Sequence, residues 1–298
     1  MKVAVTGSSG FVGGAIAKRL AAKGDEVTGF SRTRGAWTGE HRHWDISRGA
    51  LQPEQFDVVV HCAALADDWA TLDHARRINV DGSRAVIASF PGARIVHLST
   101  SSVYDAFSPT VDVRETARPA TRFLSSYSET KAEAESLFAG LDAVVLRPHA
   151  VYGEGDTTLV PRVLAAVRGG RLVLPRGGRV LHTLTHIDNL ANAVELAAGA
   201  SFRGILNVGD DGAIRLDHMI RAALNSSGRS DVTITAIPYA TAFAAAAALE
   251  TLARVRGSRP RLTRYAVSQL GLERTLDITA AREQLGYVPT PTILPGAV

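Results

Sequence analysis

VTGSSGFVG, residues 5–13, is the stretch on which the fold turns. Gly7, Gly10 and Gly13 stand at a G-x-x-G-x-x-G spacing between an apolar run, KVAVT (2–6), and a helical stretch (11–23) with Ile16 and Leu20 on one face. Glycines so placed permit a tight turn and close backbone approach. The helix start then offers free N–H groups to a pyrophosphate. An ordinary strand–helix turn can carry the same glycines, so the flanking elements decide, and strand, helix and second strand together favour a dinucleotide. The expected contacts in this turn are Gly7, Ser9, Gly10, Phe11 and Val12.

Outward from the turn, the first half repeats one pattern. EVTGFS (26–31), DVVVHCA (57–63), RIVHLS (94–99) and AVVLRP (143–148) read as strands, and 70–90 and 128–139 as helices. Strands separated by helical crossovers pair in parallel, and their nearly unbroken apolar character fits burial on both faces. Beyond residue 150 the pattern loosens into glycine-rich turns and separated helices, a smaller lobe over the open edge of the sheet. LTHIDNLANAVELA (184–197) reads as a helix and GILNVGD (204–210) as a strand. The expectation is therefore an α/β fold: a doubly wound parallel sheet of Rossmann type over 1–150, and a C-terminal α+β substrate-binding lobe over 151–298. About 184–210 is expected to return to the main sheet.

Composition narrows the function classes. The 298 residues are 46% hydrophobic and 21% charged, enough for a large core. A net charge of +4 spread over scattered Lys and Arg, without an aromatic-interleaved basic stripe, argues against nucleic-acid binding and suits small anionic ligands. MKVAVTG enters a strand directly, without signal-peptide architecture, and AFAAAAAL (242–249) is too short to span a bilayer. A cytoplasmic protein is expected. The single cysteine, Cys62, lies in an apolar run and reads as an inert thiol. His41, His43 and Asp45 have a spacing that occurs by chance more often than as a metal site.

The second strand ends in GFSRTR (29–34), where an NAD site usually carries an acidic residue for the ribose hydroxyls. Ser31, Arg32 and Arg34 stand there instead, and a guanidinium can pair with a 2′-phosphate. NADP(H) is thus preferred, with NAD possible; solvated loop charges are the plainer reading of the arginines. Asp45 and Ile46, in HWDIS, are candidates for the adenine.

SSYSETK (125–131) puts Tyr127 one helical turn before Lys131, and HLSTSSVYD (97–105) puts hydroxyls at a strand's C-terminal end. A phenol, a nearby cation that lowers its pKa, and a hydroxyl from Thr100 or Ser101 make a proton-transfer set for alcohol and carbonyl chemistry. Ser126 and Glu129 form a capping-box pattern that starts the same helix.

With these pieces in order, the chain resembles the extended short-chain dehydrogenases/reductases. TGSSGFVG, HCAA (61–64), NVDGS (79–83), LSTSSVYD, YSETK, RPHAVYGEGD (147–156) and THIDNLA (185–191) occur in that family's order. The resemblance implies Thr100, with Ser101 as fallback, as the catalytic hydroxyl, Tyr127 as acid/base, and Lys131 on the nicotinamide ribose. Cys62, Ala63, Ala64, Asn79 and Ser99 would line the cofactor, with Pro148 and His149 beside the nicotinamide. It points to the 3-beta-hydroxysteroid dehydrogenase and 2-alkyl-3-oxoalkanoate reductase branch, which acts on apolar hydroxy/keto compounds, and to a homodimer through 70–90 and 128–139. A nucleotide-sugar epimerase/dehydratase is the alternative, although His182 stands where those enzymes usually have an arginine for the pyrophosphate. A non-catalytic dinucleotide sensor is a third reading, against which Tyr127 and Lys131 speak. Asp67, Asp68 and Trp69 lie where a substrate loop belongs.

Overall fold

The computed structural model describes residues 1–118 and 120–294; the last four positions of the expected second lobe lie outside them. Seven parallel strands form the main sheet, in the order Gly204–Val208, Ala143–Pro148, Arg94–Leu98, Val58–His61, Lys2–Thr6, Glu26–Ser31 and Glu40–His43. The alternation within each strand explains the two layers of helices. Val3, Val5, Val58, Val60 and Val96 face one cluster, closed by the helices Phe11–Ala22 and Ile187–Gly199. Ala4, Val59, Ile95 and Val145 face the other, filled by Phe30, Trp44, Phe56 and Phe90 in edge-to-face contact. The α/β doubly wound expectation is borne out.

The sheet order reverses between Lys2–Thr6 and Val58–His61, and such a reversal opens a crevice at the C-terminal strand ends. The glycine turn, residues 62–69, residues 99–104 and His149 all follow strands that end on this side. Across it stand a four-stranded sheet (Ile214–Arg215, Leu181–His182, Arg274–Leu276, Thr110–Val113) and the pair Arg171–Pro175 with Thr233–Ile237. The helices Tyr239–Val255 and Arg264–Gly271 pack beside them. In the alanine-rich helix only one stripe, including Ala242, Ala246 and Ala253, is buried.

Two expected helices differ from their patterns. The stretch 70–90 is three segments: Leu72–Arg76, a π-helical turn Arg77–Asp81, and Gly82–Ser89. The widened turn carries Asn79 inward, where it is buried. The helix expected at 128–139 runs Ser126–Glu135 and tightens into a 3-10 turn, Ser136–Phe138. Its cap is Ser125, whose hydroxyl accepts from Ser128 N, so the capping box on Ser126 and Glu129 is not formed. Ser126 instead donates to Ala70 O at 2.8 Å, and Glu129 turns outward to Arg76.

Candidate active site

The glycine turn is close-packed rather than merely flexible. Gly7 has φ 73°, and a Cβ there would lie 2.8 Å from Ala63 N, so the loops after two adjacent strands touch backbone to backbone. A Cβ on Gly13 would overlap the Gly7 carbonyl. The helix behind starts at a glycine cap, with no side-chain cap bond and no acidic residue in its first turn, which leaves its positive end uncompensated. Gly10 is exposed and Ser9, Phe11 and Val12 are half-buried, which places them along the open rim. Cys62 and Ala63 are half-buried and Ala64 exposed on the opposite wall. This cradle, open to an anion and closed to a side chain, fits the pyrophosphate of a dinucleotide.

At the adenosine end the expected residues part company. Ser31 is buried and bonded to Ser8 Oγ (3.1 Å) and His41 Nε2 (3.0 Å), and it donates to Thr33 O. Arg34 is folded onto its own loop, donating to the carbonyls of Trp37, Thr38 and Gly39. Arg32 is exposed and makes no ion pair among the described residues. Asp45 caps a short 3-10 turn through Ser47 N and Oγ, and these bonds hold its carboxyl below the usual range. Ile46 is buried against Gly82.

Behind the nicotinamide end, several predicted site residues are committed to the scaffold. Asn79 accepts from Leu65 N (2.7 Å) and donates to Leu65 O and Thr130 Oγ1, tying the Tyr127 helix to the loop after Val58–His61. Ser99 donates to Glu135, whose carboxylate also pairs with buried Arg147; Arg147 reaches Tyr104 Oη at 2.9 Å. This closed ionic network under the site has no local motif and escapes sequence reading. Pro148 ends its strand fully inside, and His149 Nδ1 bonds Ser101 Oγ at 2.9 Å while its Nε2 meets His182 Nδ1 at 3.0 Å. Burial drives both imidazoles to the neutral form, His182 down to about 3.

The two candidate hydroxyls therefore face different ways. Ser101 is bound to the imidazole pair. Thr100 donates to Ser102 Oγ at 3.1 Å, and its hydroxyl works against the rise of the Tyr127 phenol. Tyr127 is half-buried, and burial lifts its phenol above the ordinary range. Here the expected lowering by Lys131 is not found. The ammonium donates to Leu98 O and meets His97 Nε2 at 3.2 Å, so its charge is spent on the strand, and burial pushes its own pKa down to about 8. Burial raises the Cys62 thiol to about 12, which keeps it protonated and unreactive.

Asp67, Asp68 and Trp69 are tied across the crevice. Arg259 Nη2 meets Asp67 at 2.6 Å, Thr263 Oγ1 donates to Asp68 Oδ2 at 2.6 Å, and Trp69 Nε1 donates to Ser258 O. Tyr265, a second phenol absent from the sequence-based set, bonds Ser102 Oγ at 2.8 Å. LTRYAVSQL is among the stretches that resemble the hydroxysteroid dehydrogenase and oxoalkanoate reductase branch, but no local pattern in it marks Tyr265 for the crevice.

A family model for the NAD dependent epimerase/dehydratase family matches residues 3–209. The chain is 33% identical to a 2-alkyl-3-oxoalkanoate reductase of Shewanella oneidensis, over 95% of this chain and 81% of that protein. It is also 33% identical to a 4-hydroxy-2-methyl-3-oxo-4-farnesyl-3,4-dihydroquinoline-1-oxide ketoreductase of Stigmatella aurantiaca, over 96% and 92% of the two chains. Among solved structures it superposes on MoeE5 in complex with UDP-glucuronic acid and NAD with a TM-score of 0.72, at 25% identity, over 99% and 96% of the two chains. With the glycine cradle and the Tyr127–Lys131 helix, these likenesses place the chain in the NAD dependent epimerase/dehydratase family: it is a dinucleotide-dependent oxidoreductase of the extended short-chain type.

Proposed function

We propose that the protein is an NADP(H)-preferring oxidoreductase that interconverts a secondary alcohol and a ketone on an apolar hydroxy/keto compound, with Tyr127 as acid/base. The observation that carries this reading is that the Tyr127 helix is tied through Lys131 to Leu98 O, two residues before Thr100, at the sheet's C-terminal edge beside the glycine cradle. The residues that would hold the dinucleotide are Gly7, Ser9, Gly10, Phe11 and Val12 at the pyrophosphate, Arg32 at a 2′-phosphate, and Lys131 at the nicotinamide ribose. When bound, the nicotinamide gives or takes the hydride. Thr100 orients the substrate oxygen, and Tyr127 Oη gives that oxygen a proton in reduction or takes one in oxidation. A phenol raised by burial stays protonated through neutral pH, which suits reduction.

Substrate apolarity is supported by the relatives, whose names specify alkyl and farnesyl compounds. The NADP(H) preference rests on Arg32 and on the absence of a carboxylate in GFSRTR. Placement in the cytoplasm and a homodimer through the helices at 70–90 and 128–139 complete the reading. Arg76 already bridges these helices within one chain, to Glu129 and Glu133. The epimerase alternative has the MoeE5 likeness in its favour, but His182 is held by His149 and lacks an arginine's charge. Incubating purified protein with NADPH and a panel of 3-oxoacyl compounds and oxosteroids separates the two. Net loss of NADPH supports the proposal; tightly retained NAD with no net change supports the epimerase.

A further inference from the structure

Four hydroxyls line up across the crevice. The Thr100 hydroxyl works against the rise of the Tyr127 phenol, Thr100 Oγ1 donates to Ser102 Oγ at 3.1 Å, and Ser102 Oγ is 2.8 Å from Tyr265 Oη. The first three belong to the sheet half, and the last is carried by the helix Arg264–Gly271. That helix is set in place from the sheet side. Thr263 caps it, accepting from Ala266 N, and the same hydroxyl donates to Asp68. Tyr265 sits in the first turn after this cap, so the position of Asp68 fixes where the second phenol lands.

We propose that Tyr265 is a positioning residue that sets the direction of this hydroxyl chain and so decides whether the Thr100 proton faces the reacting oxygen. Each hydroxyl has one proton, so two orientations exist. In the structure Thr100 donates to Ser102, so this orientation has to be turned: once Tyr265 donates to Ser102, Ser102 turns its own proton to Thr100, and Thr100 is left with a proton to offer at Tyr127 and the substrate oxygen. If Thr100 donates to Ser102 and Ser102 to Tyr265, Thr100 has nothing to offer. Bonds in such a chain polarise one another, so the outer donor is felt at the inner end. No proton is consumed; the chain only turns. The inference rests on the proposed role of Tyr127.

A phenolate at Tyr265 could only accept, which would lock the chain in the second orientation. The charged and titratable groups facing it are Asp68 from the loop, Arg162 from the helix Leu159–Ala166, Arg274 from the strand Arg274–Leu276, and Tyr127. Burial raises both phenols, and a charge on Tyr265 opposes ionisation of Tyr127.

The test is a double-mutant cycle on ketone reduction, with Tyr265→Phe, Ser102→Ala and the pair, each checked for native circular dichroism. Tyr265→Phe is expected to lower kcat about tenfold with little change in KM, to have no further effect once Ser102 is alanine, and to move the alkaline loss of activity to higher pH. Additive effects of the two substitutions together with an unmoved alkaline limb overturn the proposal. Should Tyr265→Phe fail to fold, Thr263→Val, which displaces the helix cap, must shift the alkaline limb or the proposal falls. Tyr127→Phe is the control: lost turnover there confines a negative cycle to Tyr265, and retained turnover overturns both readings.

Discussion

The two walls of the crevice are held by different forces. On the sheet side, charge is buried and closed on itself: Arg147, 1% exposed at its side chain, pairs with Glu135, with Ser99 and Tyr104 completing the network. On the lobe side the ion pairs that reach the loop after Val58–His61 lie at the rim, Arg259 to Asp67 and Asp68, with the arginine half-exposed. Inside the lobe itself, a buried Glu250 pairs with Arg264. Buried pairs cost several kcal/mol to break, whereas exposed pairs are worth about 0–1 kcal/mol. One wall is therefore fixed and the other adjustable, and the proposed hydroxyl chain crosses from one to the other.

Breaking the fixed wall should have the largest effect. Glu135→Gln leaves the Arg147 guanidinium buried without its carboxylate, and about 3–5 kcal/mol of unfolding free energy should be lost in urea titration. A loss under about 1 kcal/mol would mean that this wall is no stiffer than the other. Gly13→Ala comes next. Its Cβ would overlap the Gly7 carbonyl, so about 1–3 kcal/mol of stability should go, and dinucleotide binding by calorimetry should fall with it. Unchanged binding would show that the cradle is not the cofactor's seat.

Acid should also act chiefly on the sheet side and the His182 strand. His61, His97, His149 and His182 are buried and held neutral, with pKa values below the ordinary 6.5. The unfolded chain then binds more protons than the folded one below that pH. Stability is full above about pH 6.5 and falls as pH drops, by up to about 1.4 kcal/mol per pH unit for each histidine. A denaturation midpoint that held steady from about pH 7 to about pH 5 would contradict the burial of these rings.

Smaller effects belong to the adjustable parts. Arg32→Ala should cost about 1–2 kcal/mol in NADPH affinity, about tenfold, and leave NADH unaltered; an equal loss for both would remove Arg32 from the 2′-phosphate. Asp67→Asn should change stability by less than about 1 kcal/mol, because solvent screens the pair. A larger loss would make the lobe as fixed as the sheet.

The same difference governs what the sequence reveals. The sheet half is legible because its strands are buried on both faces, and an unbroken run such as VVVH or RIVHL fits little except a covered strand. The glycine turn is legible because close backbone approach leaves only glycine, as Gly7 and Gly13 show. The ties across the crevice are not. Tyr265 meets Ser102 across 163 positions and Arg259 meets Asp67 across 192, and neither partner carries a local pattern. The cap at SSYSETK is ambiguous in sequence because Ser125 and Ser126 both suit it; only the fold shows that Ser126 is drawn to Ala70. The π-helical turn at Asn79 has no sequence mark, and the partners its amide meets, Leu65 and Thr130, lie 14 and 51 positions away.

In the proposed reaction Tyr127 moves the proton of a net redox step. Its most direct test is the rate of NADPH loss by absorbance, with a 3-oxoacyl or oxosteroid substrate, for the wild type and Tyr127→Phe. Net consumption by the wild type is expected, with a kcat lower by about 10²–10⁴-fold in the variant and the fold and dinucleotide affinity unchanged. Equal rates in the two proteins, or no net consumption by a wild type that binds NADPH, would contradict it.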